Sequence, residues 1–349
     1  MKVLVIGGTG YIGSHTVEEL VRRDHDVWVF ARGATPTRLP SVVSLIQGDR
    51  HNPDDLIRVR AHRFDAVIDI NAYTREETLS VINTFDGAIS RLVHLSTLAV
   101  NQRTSGMPLT EDDALVTDPS LGYSYDKAEC ERALRWAYAK SEFPFVSIRP
   151  PAVYGPRDRL SRENYFLKRI IAGDTIIIPD SGAVPIHAVY VKDLAAAMAN
   201  ALEAEGVTGQ AYHIAQRELV SLTNHVANVA QIAGEEVDTE HVPSRLLERL
   251  GFNLLQFPYY SGDRLIVCDT RAAERDLGFA PTPYICALNE TIEYFLARNP
   301  ESQPSIEDRF PPVMPRSRER ALVEKYRAMT KQLEDRLTDE WLGEAMPEL

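Results

Sequence analysis

Short runs of β-branched and other apolar residues alternate along the chain with longer stretches in which apolar residues recur every three or four positions. The short runs predict buried strands, and the longer stretches predict amphipathic helices. The predicted strands are Val3–Ile6, Val27–Phe30, Ala66–Ile70, Leu92–Ser96, Phe145–Arg149 and Tyr212–Ala215. The predicted helices are Ser14–Arg23, Arg75–Phe85, Ser124–Lys140 and Val191–Glu203. This alternation predicts an α/β fold, a doubly wound parallel sheet with helices on both faces.

The strand–helix alternation loses its regularity after the fifth predicted strand. Four residues mark the break: Pro150, Pro151, Gly155 and Pro156. A chain of 349 residues predicts about two domains. We assign residues 1–157 and 187–217 to a first domain, and residues 158–186 and 218–300 to a smaller α/β domain woven into it. Residues 301–349 form a C-terminal extension in this prediction.

The extension begins with a proline-rich stretch, Glu301–Pro315, that predicts an extended linker. Beyond it, apolar residues recur at helical spacing and predict one long amphipathic helix. They are Leu322, Tyr326, Met329, Leu333, Leu337 and Trp341. Two interpretations of this apolar stripe remain open: packing on its own subunit, which we favour, or contact between the subunits of a homodimer.

Composition and charge argue against several classes of binding partner. The chain carries 38 Lys and Arg against 50 Asp and Glu, a net charge of −12, which argues against nucleic-acid binding. The three cysteines are far apart and lack metal-ligand spacing, which indicates a reducing compartment. No apolar run approaches the ~18–20 residues of a membrane helix. We therefore expect a cytoplasmic protein with a small-molecule substrate and neither nucleic acid nor membrane as a partner.

A glycine-rich turn follows the first predicted strand and opens a helix. It comprises Gly7, Gly8, Thr9, Gly10, Tyr11, Ile12 and Gly13. Turns of this kind bring backbone N–H groups and a helix N-terminus close to the pyrophosphate of a dinucleotide. The context, a strand before and an amphipathic helix after, is the one that such a motif requires. The sequence therefore predicts a Rossmann-type dinucleotide site at this turn, in the first domain, and we assign substrate binding to the smaller domain.

The end of the second predicted strand bears on which dinucleotide is bound. An acidic residue there would bind the ribose 2′-hydroxyl of NAD, but the chain has Ala31 followed by Arg32. Because an arginine can pair with a 2′-phosphate, we favour NADP, with NAD as the alternative if Arg32 is a solvated loop residue. Asp49 either accepts a hydrogen bond from the adenine amino group or serves as a turn residue.

A tyrosine and a lysine four residues apart form the candidate catalytic pair. On a helix, Tyr123 and Lys127 share one face, and a nearby ammonium would lower the tyrosine pKa toward a working range. Tyr123 is then a general acid/base for a secondary alcohol. Ser96 and Thr97 end a predicted strand upstream, where a hydroxyl could bind the substrate oxygen.

Together these residues resemble the extended short-chain dehydrogenase/reductase family, the NAD-dependent epimerase/dehydratase group. The likeness covers roughly residues 1–300 and continues through Arg149–Pro156, Val191–Ala195 and Asp269 to Leu277–Phe279. In detail the chain is most similar to a subgroup resembling the chloroplast stem-loop-binding proteins. The segments that carry this likeness are Phe30–Gly33, Gly48–Arg50 and Asp69–Asn71.

The resemblance implies roles residue by residue. Tyr123 would be the general acid/base, Lys127 would hold the nicotinamide ribose, and Thr97 would be the catalytic hydroxyl, with Ser96 as the less favoured alternative. The loop from Pro150 to Val153 would lie against the nicotinamide. The further residues implied at the cofactor are Asp49, Arg50, Asn71 and Ala72, and Arg264 is the one implied at the substrate.

Two departures from the family pattern concern the substrate. Leu98 and Ala99 stand where dehydratases carry an Asp-Glu pair, which argues against dehydration. Nucleotide-sugar members grip the substrate pyrophosphate with two arginines. The corresponding places are Ile186 and either Tyr259 or Tyr260, and only Arg264 lies close enough to replace one of them.

The resulting hypothesis is an NAD(P)-dependent enzyme that transfers a hydride at a secondary alcohol or ketone carbon of a sugar-like substrate, which includes nucleotide sugars. An epimerase is the favoured type. The first alternative is an NADPH-dependent ketoreductase that releases its cofactor at every turnover. An alternative from another class is a non-catalytic protein that binds a dinucleotide or RNA.

Overall fold

The computed structural model describes residues 1–33, 39–103, 106–254, 257–262, 265–309 and 315–343. The strands in these residues are β1 (Lys2–Ile6), β2 (Asp26–Ala31), β3 (Ser44–Gln47), β4 (Ala66–Asp69), β5 (Arg91–Leu95), β6 (Phe145–Arg149), β7 (Ala152–Tyr154), β8 (Ile176–Pro179), β9 (Pro185–Ile186), β10 (Ala188–Tyr190), β11 (Gln210–His213), β12 (Val220–Ser221) and β13 (Thr239–Val242). The helices are α1 (Tyr11–Arg22), α2 (Pro53–Arg60), α3 (Arg75–Phe85), α4 (Tyr123–Ser141), α5 (Arg162–Ile171), α6 (Val191–Glu203), α7 (Leu222–Ala233), α8 (Ser244–Arg249), α9 (Arg271–Leu277), α10 (Tyr284–Leu296), α11 (Ile306–Arg309) and α12 (Arg316–Gly343).

A seven-stranded parallel sheet forms the centre of the first part of the chain. Its strand order is β11-β6-β5-β4-β1-β2-β3. The order reverses direction at β1 and β4, and open α/β sheets bind ligands outside the carboxyl ends of the strands at such a point. The predicted α/β fold is confirmed, and the edge at the carboxyl ends of β1–β6 is where functional residues are expected.

Local sequence explains why these elements form where they do. All four residues of β4 are buried, as expected for a central parallel strand. Thr74 and Glu77 form a reciprocal capping box that starts α3 at the predicted residue. Asn52 caps α2, and Pro53 occupies its first turn. Strand β11 begins two residues before the predicted Tyr212, and α1 begins three residues before the predicted Ser14.

Apolar residues cover both faces of the sheet. One buried cluster packs α1 and α6 against the strands, through residues such as Val17, Leu20 and Met198. The other packs α2, α3 and α4 against the opposite face, through residues such as Leu56 and Leu134. Two such clusters are the signature of a doubly wound fold.

The chain divides into two compact units. The first comprises Met1–Asp158, Pro185–Leu219 and Leu265–Thr291; the second comprises Arg159–Val184, Val220–Arg264 and Ile292–Leu349. These bounds differ from the predicted domains mainly at Leu265–Thr291, which lies in the first unit because α9 packs on α6 and β11. In the second unit, β8 pairs in parallel with β13, and α5 packs on α7. The assignment of cofactor and substrate to separate domains stays a prediction.

The C-terminal extension differs from the predicted extended linker. A short 3-10 helix at Pro300–Ser302 and helix α11 occupy this stretch, and Pro300, Ser305 and Ile306 are buried. Residues 310–314 lie outside the described residues. Burial of an apolar side chain stabilises local helical turns that a proline-rich composition alone does not predict.

Helix α12 confirms the predicted long helix, and the two halves of its apolar stripe differ in exposure. Its first half is held on its own unit: Glu319 is buried, and Leu322 and Tyr326 are half-buried. Met329, Leu333 and Leu337 are exposed by 69%, 56% and 47%. Packing on the same subunit therefore accounts only for the first half of the stripe.

Candidate active site

The glycine turn between β1 and α1 leaves no room for side chains at its base. Gly7 has a φ of +85° and donates its N–H to the carbonyl of Phe30 at 3.1 Å. A Cβ atom on Gly13 would lie 2.3 Å from the carbonyl oxygen of Gly7 and 2.8 Å from the Cα atom of Gly8. At Gly10 a Cβ atom would meet only that oxygen, at 3.3 Å. The turn has no space for a side chain at Gly13 and little obstruction at Gly10, which fits the close approach of a pyrophosphate to backbone amides.

The N-terminus of α1 faces the same open side. Gly10 is its N-cap and supplies no side-chain hydrogen bond to the first amides. Thr9 lies in the turn, and Ile12 packs against the core cluster beneath α1. The Tyr11 hydroxyl lies 3.3 Å from the position that a Cβ atom of Gly155 would take. Gly155 has a φ of +143°, so a side chain there is disfavoured by conformation as well as by space.

Arg32 and Asp49 follow β2 and β3 at the carboxyl edge. Arg32 is exposed, and its carbonyl accepts a hydrogen bond from the Gln47 side chain at 3.1 Å. Asp49 accepts hydrogen bonds from the backbone N–H and the ring of His51, which hold the pKa of its carboxyl low, with a smaller contribution from the Arg32 charge. Asp49 therefore serves the turn, and its contact with adenine stays a prediction.

Arg50 is an interior residue rather than a surface one. Its guanidinium donates two hydrogen bonds to the buried Asp69 carboxylate, at 2.7 and 3.0 Å, and one to the Asn71 side-chain oxygen at 2.9 Å. Asn71 in turn lies under the glycine turn, since a Cβ atom on Gly7 would come within 3.0 Å of its Cγ. Arg50 thus orients Asn71, and the direct cofactor contact predicted for Arg50 stays untested.

Lys127 is buried beneath the sheet edge, with 2% of its surface exposed. Its ammonium donates to the carbonyl of Ala72 at 2.7 Å and to that of Leu95 at 2.5 Å. These carbonyls follow β4 and end β5, so Lys127 joins two neighbouring strand ends. Desolvation lowers the pKa of Lys127.

Tyr123 begins α4 and is half exposed at the same edge. Its phenol lies near the side chain of Thr97, the residue that follows Ser96 after β5, and that side chain favours a lower pKa of Tyr123. The ring of Tyr73 lies 6.5 Å from that of Tyr123, centroid to centroid. The structure therefore brings together Thr97, Tyr123 and the helix that carries Lys127.

The predicted lowering of the Tyr123 pKa is wrong for this structure. Desolvation raises the pKa of Tyr123, and the Thr97 side chain opposes that rise. The Lys127 ammonium is directed at the carbonyls of Ala72 and Leu95 and is not among the causes that shift the Tyr123 pKa.

The structure distinguishes Ser96 from Thr97. Ser96 is buried, and its hydroxyl donates to the Glu131 carboxylate at 2.5 Å. Arg149 donates to both oxygens of the same carboxylate, at 2.8 and 2.5 Å. Sequence reasoning missed this pair; the available signal was the position of Glu131 four residues after Lys127, on the same helix face.

The loop after β6 is fixed to the strand end that carries Thr97. The Pro150 carbonyl accepts a hydrogen bond from the Leu98 N–H at 2.8 Å. Val153 lies in β7, which pairs in parallel with β10, and its half-buried side chain packs on the core. Leu98 is buried, so it offers no polar group where dehydratases carry a carboxylate.

In the second unit, both tyrosines at the place of a family arginine have carboxylate partners. The Tyr259 hydroxyl donates to Glu163, which is fully buried, and the Tyr260 hydroxyl donates to Asp180 at 2.7 Å. Ile186, at the other arginine place, is buried. Arg264, the predicted substrate residue, lies outside the described residues.

The described residues form neither a metal-binding cluster nor a membrane-spanning helix. No group of three or more His, Cys, Asp and Glu side chains among them is arranged to hold a metal ion. None of the helices described is both long and apolar enough to cross a membrane.

The chain is similar in sequence to a known family and to proteins of known activity. The family model described as "NAD dependent epimerase/dehydratase family" matches residues 3–215. The chain is 29% identical over 247 residues to the chloroplast stem-loop binding protein of 41 kDa b of Arabidopsis thaliana, covering 67% of this chain and 63% of that protein. It is 28% identical over 249 residues to 2′-dehydrokanamycin reductase of Streptomyces kanamyceticus, covering 70% of each.

Among solved structures, the fold is similar to that of UDP-glucuronic acid 4-epimerase from Bacillus cereus in complex with UDP-glucuronic acid and NAD. The TM-score is 0.70 and the identity 21%, with 85% of this chain and all of that chain covered.

Proposed function

The chain belongs to the NAD dependent epimerase/dehydratase family, and from that premise we propose that it transfers a hydride between a nicotinamide dinucleotide and a carbinol or ketone carbon of a sugar-like substrate. One observation carries the proposal. Thr97, Tyr123, the helix that carries Lys127 and the glycine turn all lie at the carboxyl edge of one parallel sheet. That edge is where α/β sheets bind ligands.

Each of these residues has a separate task in the proposal. The N–H groups at the start of α1 hold the pyrophosphate, and Lys127 holds the ribose from beneath the edge. The bound dinucleotide supplies the hydride acceptor or donor. Tyr123 takes the proton from the substrate hydroxyl, or returns it to the ketone oxygen, while Thr97 donates a hydrogen bond to the same phenol.

NADP is the proposed dinucleotide. The support is the absence of an acidic residue at the end of β2 and the exposure of Arg32 next to it. The family name and the NAD in the Bacillus cereus structure support NAD as the alternative.

Tyr123→Phe tests the proposal, with Tyr125→Phe on the same helix as the matched control. Loss of a general acid/base typically costs about 10²–10⁴-fold in turnover. We expect that loss in Tyr123→Phe, no change in Tyr125→Phe, and unchanged thermal stability in both. Equal turnover in wild type and Tyr123→Phe contradicts the role of Tyr123. A wild type that binds the dinucleotide and turns over no sugar ketone or alcohol is a binding module, the third function considered from the sequence.

A ketoreductase is the second candidate function, favoured by the similarity to 2′-dehydrokanamycin reductase and by Arg32. An epimerase keeps its cofactor through the catalytic cycle, whereas a reductase releases it at each turnover. Mass spectrometry of the nicotinamide released on denaturing the freshly purified protein separates them. Stoichiometric NAD supports the epimerase and contradicts the role of Arg32, and empty protein that binds NADPH more tightly than NADH supports the reductase.

The substrate is proposed to be a sugar that need not carry a nucleoside diphosphate. The support is that the phenols of Tyr259 and Tyr260 are engaged with Glu163 and Asp180 at the place where the family pattern has a cation. Diphosphate binding without such cations loses charge-assisted hydrogen bonds of about 1.5–3 kcal/mol each.

A homodimer is proposed through the exposed half of the apolar stripe on α12. Its support is the exposure of Met329, Leu333 and Leu337 together with a balance of charges, Lys331 and Arg336 against Glu334 and Asp335. Light scattering of the wild type and of Leu333→Asp is the test. A wild-type protein that is monomeric at all concentrations contradicts it. The cytoplasmic location stays a prediction.

A further inference from the structure

The helix that carries Tyr123 and the strand end that carries Thr97 are tied together by a buried carboxylate. Glu131 lies eight residues after Tyr123, and positions four and eight residues along a helix stay close to one face. Its carboxylate accepts a hydrogen bond from the Ser96 hydroxyl at 2.5 Å. Ser96 directly precedes Thr97, so one side chain connects both partners of the Thr97–Tyr123 contact.

Arg149 holds that carboxylate in place. Its guanidinium donates to both Glu131 oxygens, at 2.8 and 2.5 Å, and to the carbonyl of Glu111 at 3.1 Å. Arg149 and Glu131 are 0% and 1% exposed, so the pair is shielded from water. Arg149 keeps the pKa of Glu131 low, against the effect of burial. An ionised carboxylate with two fixed donors is a rigid acceptor for Ser96.

The backbone on either side of Thr97 is fixed as well. The Ser96 N–H donates to the carbonyl of Ile148 at 2.7 Å, and the Leu98 N–H donates to that of Pro150 at 2.8 Å. These bonds align the strand end with β6 but do not reach α4. Two hydrogen bonds reach from this strand end to α4: the Lys127 ammonium donates to the Leu95 carbonyl, and the Ser96 hydroxyl donates to Glu131. Of the two, the Ser96–Glu131 bond is made by the residue next to Thr97.

We propose that Ser96, Glu131 and Arg149 are positioning residues, which set the Thr97 hydroxyl against the Tyr123 phenol. The inference rests on the proposed function. It assigns a role in the reaction to three residues that do not touch the reacting atoms. Ser96, the less favoured candidate for the catalytic hydroxyl, acts through its neighbour.

The test follows the ionisation of Tyr123 in the full chain without any substrate. Tyrosine labelled with ¹³C at the ζ carbon gives a signal that reports phenol ionisation, and the Tyr123 signal is identified by its loss in Tyr123→Phe. Thr97→Val removes the hydroxyl that favours the phenolate, so we expect it to raise the Tyr123 pKa. This rise is the full effect of losing the Thr97 hydroxyl, against which the other variants are compared. We expect Ser96→Ala to produce at least half of that rise, because Thr97 is then no longer held in register.

Ser147→Ala is the matched control. Ser147 is also fully buried and lies on β6 beside β5, and its hydroxyl has no hydrogen-bond partner among the described residues. It should leave the Tyr123 pKa unchanged. Ser96→Ala keeps both Arg149–Glu131 hydrogen bonds, so it is expected to fold. Glu131→Gln is a second variant, expected to give a smaller rise because the amide oxygen still accepts from Ser96.

The outcomes separate this inference from the proposed function. A wild-type Tyr123 pKa in Ser96→Ala overturns the positioning role, and so does an equal rise in Ser147→Ala. An unchanged pKa in Thr97→Val also overturns it, since the contact to be positioned would then have no effect. The proposed function fails on a different measurement, if Tyr123→Phe retains turnover.

Discussion

Gly10 and Gly13 lie three residues apart in the same turn, yet substituting alanine at the two positions has different consequences. A Cβ atom on Gly13 would lie 2.3, 2.8 and 3.0 Å from backbone atoms of Gly7 and Gly8. Because those atoms are backbone, the turn itself has to move. Overpacking of this kind costs about 1–3 kcal/mol. Gly13→Ala should therefore lower the free energy of unfolding and abolish dinucleotide binding together.

Gly10→Ala should separate binding from folding. Gly10 has a φ of −76° and a ψ of 179°, which alanine adopts freely, and its Cβ would meet a single atom at 3.3 Å. The poorer N-cap costs about 1 kcal/mol or less. The new methyl group would lie in the turn over which the pyrophosphate is proposed to approach. We expect the Kd of NADPH to rise at least about tenfold, equivalent to about 1.4 kcal/mol.

The assay combines isothermal titration calorimetry with NADPH and urea unfolding of each variant. Gly106→Ala is the control, because no atom lies within 4 Å of the Cβ position at Gly106. It should change neither quantity. Wild-type affinity in Gly10→Ala would refute the reasoning, because the pyrophosphate could not then lie over this turn.

Three further predictions follow from single contacts. Arg32→Ala should raise the Kd of NADPH about 10- to 100-fold, because it loses a charge-assisted hydrogen bond of about 1.5–3 kcal/mol. Titration calorimetry should show an unchanged Kd for NADH. Equal weakening of both dinucleotides contradicts the role of Arg32. The Glu319 carboxylate accepts two 2.9 Å hydrogen bonds from the buried Arg169, and Glu319→Gln removes the charge and leaves one accepting oxygen, while Glu307 is retained. Urea unfolding should detect a loss near 3 kcal/mol, against about 0.5 kcal/mol or less for Glu301→Gln at the more exposed Arg316 pair. Ketone reduction needs a protonated Tyr123, and burial raises the pKa of that phenol above its ordinary value. The kcat/KM for reduction should therefore stay constant through neutral pH and fall only as the pH rises through this raised pKa, where the kcat/KM for alcohol oxidation should increase. A decrease in the kcat/KM for reduction near neutral pH contradicts this prediction.

The fold and the location of the site follow from short-range sequence signals. Gly7, Asn71, Thr97 and Pro150 each lie one or two residues after the end of a strand that is rich in apolar residues. Carboxyl ends of parallel strands meet at one edge, so a correct strand assignment is enough to predict that these residues lie near one another.

The partners of buried charges do not follow from the sequence. Arg50 pairs with Asp69, 19 residues away, and Glu131 pairs with Arg149, 18 residues away. Such pairs depend on which helix packs on which strand, so Arg50 is predicted at the cofactor although it is interior. The Tyr123 pKa is likewise raised by burial, and the Lys127 ammonium is directed at backbone carbonyls; a four-residue spacing specifies neither.

The C-terminal extension illustrates the same limit. Helical spacing predicts α12 from its apolar stripe, but spacing cannot tell which turns have a surface to pack on. Glu319 and Val323 are buried on the second unit, whereas Leu333 and Leu337 are exposed. The anchor is the ion pair of Glu319 with Arg169, 150 residues away in the chain.

Deuterium transfer tests the central claim most directly. After removal of any bound nucleotide, wild type and Tyr123→Phe are incubated with NADPH, and separately NADH, carrying deuterium at C4 of the nicotinamide, together with a set of sugar ketones. The account predicts deuterium at the carbinol carbon of a product alcohol in the wild type and at least about 100-fold less in Tyr123→Phe. A wild-type protein that binds the dinucleotide and labels none of these ketones, or a Tyr123→Phe variant that labels them equally, would contradict it.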